Sequence, residues 1–275
     1  MDGSTPDGSR GRPSVSVVVP TLNERRNIGR LLAGLDPRYE VVVSDGGSVD
    51  GTPEAARAAR PSCRVVRQSG RGRGTSILTG LWSATGDLLV TLDADGSADP
   101  HEVPRAVAAL EAGADMAKGA RTLACRTRAG TGRSVADLAV ASVASAVLGT
   151  AFADICCGLT AMRRSVLPRL DLPDGRRRST DPPVLGDGVE FEVVLACRAI
   201  TAGLSIRSIP GLQKAQWCEY RAEPSIPDRG RILRALFLER RRAARARRTR
   251  IALPLLAAPS EEISATGIRR SADGG

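Results

Sequence analysis

Residues Leu88–Pro100 read LLVTLDADGSADP. An apolar run climbs to Leu92 and then releases two carboxylates, Asp93 and Asp95, one alanine apart. Strand stability requires no such ending. Like charges that close repel one another, so the stretch predicts a buried strand delivering an oxygen-lined cation site at its end, of the kind that suits Mg²⁺ or Mn²⁺. Taken alone, the triplet is a weak signal and fits better a turn before Pro100, with Asp99 capping the helix that follows; its place after a buried strand in an α/β sheet tips the reading to a cation site.

The flanking sequence places that strand in a series. Ser14–Pro20 (SVSVVVP) is an almost unbroken β-branched run, the mark of a strand buried on both faces. NERRNIGRLLAGL follows as a helix, with Asn23 as its N-cap and Ile28, Leu31, Leu32 and Leu35 on one side. YEVVVSDGG is a second strand ending in Asp45, and DGTPEAARAARP a second helix capped by Asp50. CRVVRQ, RGTSILTGLWSA, DLLVTLD, PHEVPRAVAALEAG and ADMAKGAR continue the alternation through Arg121. Strands alternating with helices imply a mostly parallel sheet flanked by helices. Such sheets bind ligands at the carboxyl ends of their strands, and the polar clusters PTLNE, Asp45 and DAD all fall there.

Beyond Arg121 the pattern changes. TLACRTRAGTGRS is a basic loop, VADLAVASVASAVLGTAF a small-residue helix, and Leu172–Gly186 a polar loop. GVEFEVVLACRAITAGLSIRSIP reads as a helix, a glycine break and a strand, and Arg229–Arg248 as a basic amphipathic helix.

The chain has 275 residues, 42% of them hydrophobic, enough for a substantial core. Its net charge of +10 is carried almost entirely by arginine and clusters at Arg176–Arg178 and Arg240–Arg250. Those runs favour anionic partners: phosphates, nucleic acid or an acidic membrane face. None of the six cysteines falls in a CxxC pair or at zinc-ligand spacing, and Cys63 and Cys197 lie in apolar segments, as structural thiols do. The first residues lack the apolar core of a signal peptide, and no apolar run is long enough to cross a bilayer. A cytoplasmic protein is expected, able to touch the inner face of a membrane without crossing it.

Two further clusters carry chemistry. Asp45–Thr52 (DGGSVDGT) is a tight turn whose glycines let a ligand approach the backbone and whose Asp45 can accept from a base or ribose. Arg71–Gly74 (RGRG) precedes a helix, where guanidinium and free N–H groups suit phosphate. A solvated basic loop is the plain alternative. His101 reads as an exposed helix-start residue.

These segments together resemble family 2 inverting glycosyltransferases of the GT-A fold, in the branch of polyprenyl- and dolichyl-phosphate sugar transferases. VSVVVPTLNER looks like their opening strand, VVVSDGGSVDGT like VVDDGSxDGT, and GRGRGTSILTG like GKGxAxxxG with Arg73 at the lysine. GDLLVTLDADGSADP looks like their metal strand, KGAR like xGSR, DICCGLTAMRRSVL like DxxSGFRAFRRxVL, and GVEFEVVLACRAITAGLSIRSIP like GFEFEVELLxRAxxAGxRIxEVP. The resemblance runs from about Ser14 to Arg240. Ser44 replaces the usual first aspartate, Leu159 and Met162 replace aromatic residues, and the segment after the last strand is shortened to YRAEPSIPDRG.

The resemblance implies an α/β, GT-A type nucleotide-sugar-binding fold with a mostly parallel Rossmann-like sheet. Pro20, Leu22, Glu24, Asp45, Arg73, Asp93, Ala94 and Arg121 would bind the nucleotide-sugar. Asp93 and Asp95 would hold Mg²⁺ or Mn²⁺. Asp154, and after it Glu192, would serve as the base. The implied organisation is a disordered 1–13, one domain over 14–240 with a nucleotide-sugar half (14–121) and an acceptor half (122–240), and a basic, disordered 241–275. The donor would be a nucleoside-diphosphate sugar and the acceptor a polyprenyl phosphate. A hydroxyl of a small molecule is the alternative acceptor. An ionised lipid phosphate needs no strong base, and Arg126, Arg128, Arg133, Arg163 and Arg164 would then contact it. A sugar-phosphate nucleotidyltransferase would need a glycine-rich signature where this chain has PTLNERRNIG. A nucleic-acid binder would need more stacking residues than an aromatic content of 3% supplies. A catalytically inactive binding protein is permitted by Ser44 and disfavoured by the intact DAD.

Overall fold

The valine run that opens the chain is β1 (Val15–Thr21), and it lies in the middle of the sheet. It pairs in parallel with β2 (Glu40–Asp45) on one side and β4 (Leu88–Thr91) on the other, while β3 (Arg64–Arg67) extends the β2 edge. The computed structural model describes residues 12–121, 141–146, 154–155, 157–173, 175, 178–212 and 226–256. The calls on Met1–Gly11, Thr122–Val140 (with Cys125, Arg126, Arg128 and Arg133), Cys156, Arg176–Arg177 and the segments after 212 and 256 lie outside them.

Beyond β4 the sequence order breaks. Next to β4 runs not β5 (Met116–Arg121) but β6 (Thr160–Arg163), antiparallel to both neighbours, and β7 (Ile206–Leu212) pairs in parallel with β5 at the far edge. The order is β3-β2-β1-β4-β6-β5-β7. The expected mostly parallel sheet is present, with one inserted antiparallel strand that four residues of TAMR did not announce.

Alternation along the strands builds two cores. Val17, Val19, Val41, Val43 and Val90 face α1 (Arg25–Ala33) and α4 (Val103–Glu111), meeting Ile28, Leu31, Leu32 and Leu110. Val18, Val42 and Leu89 face α3 (Arg73–Ser83) and α5 (Phe191–Thr201), meeting Ile77, Leu78, Leu81, Phe191 and Leu195. A smaller cluster joins α5 to α6 (Ile226–Leu256) through Val193, Cys197, Ile232 and Leu236. Burial and the nearby Glu239 push the Cys197 thiol up to about 12, so it is an inert packing group. The chain divides into Met1–Arg240 and Arg241–Gly275, the described part of the latter being helical. Among the described residues no helix is long and apolar enough to cross a membrane.

Local readings are corrected at several points. Asn23 does not cap α1. It sits at φ 58 and its Oδ1 accepts from Val49 N at 3.0 Å, tying the β1 and β2 loops together, while Glu24 takes the cap position without its side chain bonding a helix-start N–H. Gly51 is the N-cap of α2 (Thr52–Ala59), and Asp50 serves it from one residue earlier by accepting from Thr52 N and Oγ1. Asp99 does cap, accepting from His101 N at 2.9 Å ahead of the 3₁₀ turn Pro100–Glu102. Arg163 and Arg164 are not phosphate partners. They donate to the carbonyls of Leu110, Ala114, Ala84 and Gly86, because β6 runs antiparallel and carries them to the end of the sheet where β4 begins.

Candidate functional site

The carboxyl ends of β1, β2, β3 and β4 open on one cavity of about 600 Å³. Pro20, Leu22, Glu24, Arg73, Asp93, Ala94, Asp95 and Glu192 line it, eight of the residues singled out in the sequence. They converge because parallel strands present all their carboxyl ends to the same side. Arg71, Gln68, Asp228 and Ile232 also line it.

Asp93 accepts on Oδ1 from Arg73, at 2.5 Å from Nη2 and 3.2 Å from Nε. Its other oxygen lies over Gly158, where a Cβ would stand 1.9 Å from Oδ2, so only glycine leaves Asp93 in place. Asp95 Oδ1 accepts from Ser97 N at 2.8 Å. Burial, and then the charge of Asp93, hold the Asp95 carboxyl above the ordinary carboxylate range. Glu24 is also raised, first by burial and further by Asp95 and Asp93, against the lowering hydrogen bond from Asn27. Three carboxylates thus crowd one wall. Crowded hard oxygen donors are what Mg²⁺ or Mn²⁺ takes, with waters and substrate phosphates filling its remaining positions. Among the described residues no group of three or more His, Cys, Asp or Glu could hold a metal on its own. Asp93 and Asp95 are the two carboxylates that would hold such an ion.

Glu192 opens α5 and is 3% exposed. Its Oε1 stands 3.3 Å and 3.4 Å from the two terminal Arg73 nitrogens, and its Oε2 accepts from Lys118 Nζ and, at 3.2 Å, from Thr160 Oγ1. Lys118 was not singled out in the sequence. Its ammonium, 5% exposed, donates also to Cys157 O and Thr160 Oγ1, using all three protons. The available signal was a lysine inside the apolar strand MAKGAR of a chain that otherwise uses arginine.

Asp45 ends β2. It is 4% exposed and its oxygens accept from Gly47 N, Ser48 N, Ser48 Oγ and Thr21 Oγ1. The carboxylate holds the turn, and Gly46 and Gln68 rather than Asp45 reach the cavity. Asp154 is 3% exposed and does not line the cavity. Arg121 ends β5, and its side chain lies outside the described residues. His101 is exposed and paired with Asp99 away from the cavity wall.

The glycines of RGRG also serve packing. A Cβ on Gly72 would meet Asp187 O at 2.2 Å, and one on Gly74 would meet Gly186 O at 1.9 Å. The Gly186–Gly188 segment lies directly on the start of α3, and Thr75 N donates to Asp187 O at 3.2 Å. One helix-start N–H expected to face phosphate is thus already used, while the guanidinium of Arg73 faces the cavity.

A model described as "Glycosyl transferase family 2" matches residues 16–170. Polyprenol monophosphomannose synthase from Mycolicibacterium smegmatis is 32% identical over 225 residues, covering 76% of this chain and 80% of that protein. Undecaprenyl-phosphate 4-deoxy-4-formamido-L-arabinose transferase from Pseudomonas savastanoi is 31% identical over 185 residues, and the match spans 63% of this chain and about half of that protein, 53%. Glucosyl-3-phosphoglycerate synthase from Mycobacterium tuberculosis, solved with Mn²⁺, uridine diphosphate and phosphoglyceric acid, superposes with a TM-score of 0.65 at 22% identity over 83% of this chain and 78% of its own. That likeness establishes the GT-A architecture expected from the sequence.

Proposed function

Since the chain belongs to glycosyl transferase family 2, and is a glycosyltransferase, we propose that it moves a sugar from a nucleoside-diphosphate sugar to a polyprenyl phosphate, with inversion at the anomeric carbon. The observation that carries this reading is the pair Asp93 and Asp95 on the wall of the cavity, facing the guanidinium of Arg73. A divalent ion, if bound by Asp93 and Asp95, would supply Lewis-acid neutralisation of the departing diphosphate. Leu22 and Pro20 offer the base an apolar contact, and Arg71 and Arg73 offer the diphosphate charge-assisted hydrogen bonds.

The surroundings of the carboxylates support this acceptor class. Both oxygens of Glu192 face cations, and Asp154 stands off the cavity. A hydroxyl acceptor would need a general base, whereas an ionised phosphate attacks without one. The similarity to two polyprenyl-phosphate enzymes supports the same choice. A lipid-borne acceptor also suits α6. Asp228 and Ile232 line the cavity, while Leu233 and Phe237 on the same helix are 45% and 55% exposed with Arg234 and Arg240 exposed beside them. Apolar side chains among arginines are the composition of a helix that rests on an anionic bilayer.

The test is nucleoside diphosphate release from a panel of nucleotide-sugars with Mn²⁺, with undecaprenyl phosphate in one arm and hydroxyl acceptors in the other. Turnover that requires the lipid phosphate, and that Asp95→Ala abolishes, is expected. Turnover only on hydroxyl acceptors, or full activity of Asp95→Ala in EDTA, would refute the reading.

A further inference from the structure

Arg73 is shared between two acids of different character. Glu192 is fixed, 3% exposed and gripped from behind by Lys118 and Thr160. Asp93 is not: its side chain is 21% exposed on the cavity and, among the described residues, its hydrogen bonds come from Arg73 alone. The guanidinium itself is 27% exposed there. Burial works against its charge, and Asp93 and Glu192 more than offset that, so it stays a full cation at every accessible pH.

The atom that Arg73 grips, Asp93 Oδ1, belongs to the carboxylate expected to ligate the divalent ion. A guanidinium on that oxygen at 2.5 Å and an ion at metal–oxygen distance compete for the same lone pairs and repel each other. We infer that Arg73 is a displaceable counterion of Asp93: divalent-cation binding expels it from Asp93, and the salt bridge to Glu192 keeps it tethered at the cavity wall. Released on that tether, its fork is positioned to meet the oxygens of an incoming diphosphate. Cation and donor binding are then coupled through one side chain, a reciprocity that linkage requires. The inference rests on the function proposed above.

The test uses the full chain and two readouts. Mn²⁺ affinity without nucleotide is measured for the wild type, Arg73→Gln, Arg73→Lys and Asp95→Ala. Arg73→Gln is expected to bind Mn²⁺ roughly ten- to a hundredfold more tightly, the size of a lost charge-assisted hydrogen bond. Arg73→Lys keeps the charge but loses the fork and should gain less. Removing a charge would by itself tighten binding somewhat, so the second readout looks at contact directly. The ¹⁵N signal of Arg73 Nε–H, assigned by its loss in Arg73→Lys, should shift and exchange faster with solvent when Mg²⁺ is added to the wild type. An unchanged Arg73 signal under saturating Mg²⁺, or weaker Mn²⁺ binding by Arg73→Gln, overturns the inference. Equal Mn²⁺ affinity of wild type and Asp95→Ala instead removes the metal site itself, and the inference with it.

Discussion

Lys118→Met tests whether the ionic core beneath the cavity is a structural necessity. Methionine retains the length of the lysine stem, so little cavity opens. What disappears is an ammonium 5% exposed with three acceptors: Cys157 O, Thr160 Oγ1 and Glu192 Oε2. Glu192, 3% exposed, keeps Arg73 at 3.3 Å as a cation partner but loses the one behind it. Removing one member of a buried pair costs about 3–5 kcal/mol, and the surviving Arg73 contact places the expected cost near the lower end, about 3 kcal/mol. In a chain of this size that is a fall of about 6–12 °C in Tm. Urea denaturation at neutral pH, with thermal unfolding beside it, measures it. Adding Glu192→Gln to Lys118→Met removes the stranded charge and should restore most of the loss, whereas Glu192→Gln alone leaves the ammonium stranded and destabilises. A cost below about 1 kcal/mol for Lys118→Met, or strict additivity in the double variant, would refute the reasoning, because two groups in one buried network must couple.

Asp95→Asn should stabilise the protein in EDTA. Burial and Asp93 raise the folded-state carboxyl, so its contribution is fully present below the unfolded pKa and lost as pH rises through the folded one. Urea midpoints should therefore favour Asp95→Asn at pH 7 and converge with the wild type below about pH 4, and the variant should no longer be stabilised by Mn²⁺. A lower midpoint at pH 7 would contradict the account. Gly74→Ala, whose new Cβ would stand 1.9 Å from Gly186 O, should destabilise by about 2 kcal/mol or more. Gly230→Ala, with nothing within 4 Å on α6, should stabilise by up to about 1 kcal/mol in the same urea assay.

Much of the fold was legible because its signals are local. The valine runs of β1 and β2 and the spacing of Ile28, Leu31 and Leu32 are written in consecutive residues. The cavity residues were legible for a related reason: a parallel sheet gathers its strand ends, so PTLNE and DAD had to meet. Long-range facts were not legible. Nothing in TAMR shows that β6 will slip between β4 and β5. The bonds from Gly47 and Ser48 to Asp45 belong to the local turn, but nothing near Asp45 in sequence shows that Thr21 would also donate to it. Lys118 and Glu192 are 74 residues apart, and their pairing is decided only when α5 packs against β5 and β6. The glycines of RGRG were read for phosphate because the Gly186–Gly188 segment that rests on them is distant in the chain.

The insertion of β6 also bears on how the chain is made. During synthesis, β1 to β4 emerge first and can close a four-stranded parallel platform from contacts already translated. β5 emerges next and finds no partner, because both of its neighbours, β6 and β7, lie at least 39 residues further on, at Thr160 and Ile206. Until Thr160–Arg163 leaves the ribosome, β4 keeps an open edge and β5 an unpaired backbone, the two features that invite pairing with another nascent chain. A fragment stopped at residue 121 would share that exposure permanently. The sheet is completed only when later sequence reaches back to fill its middle.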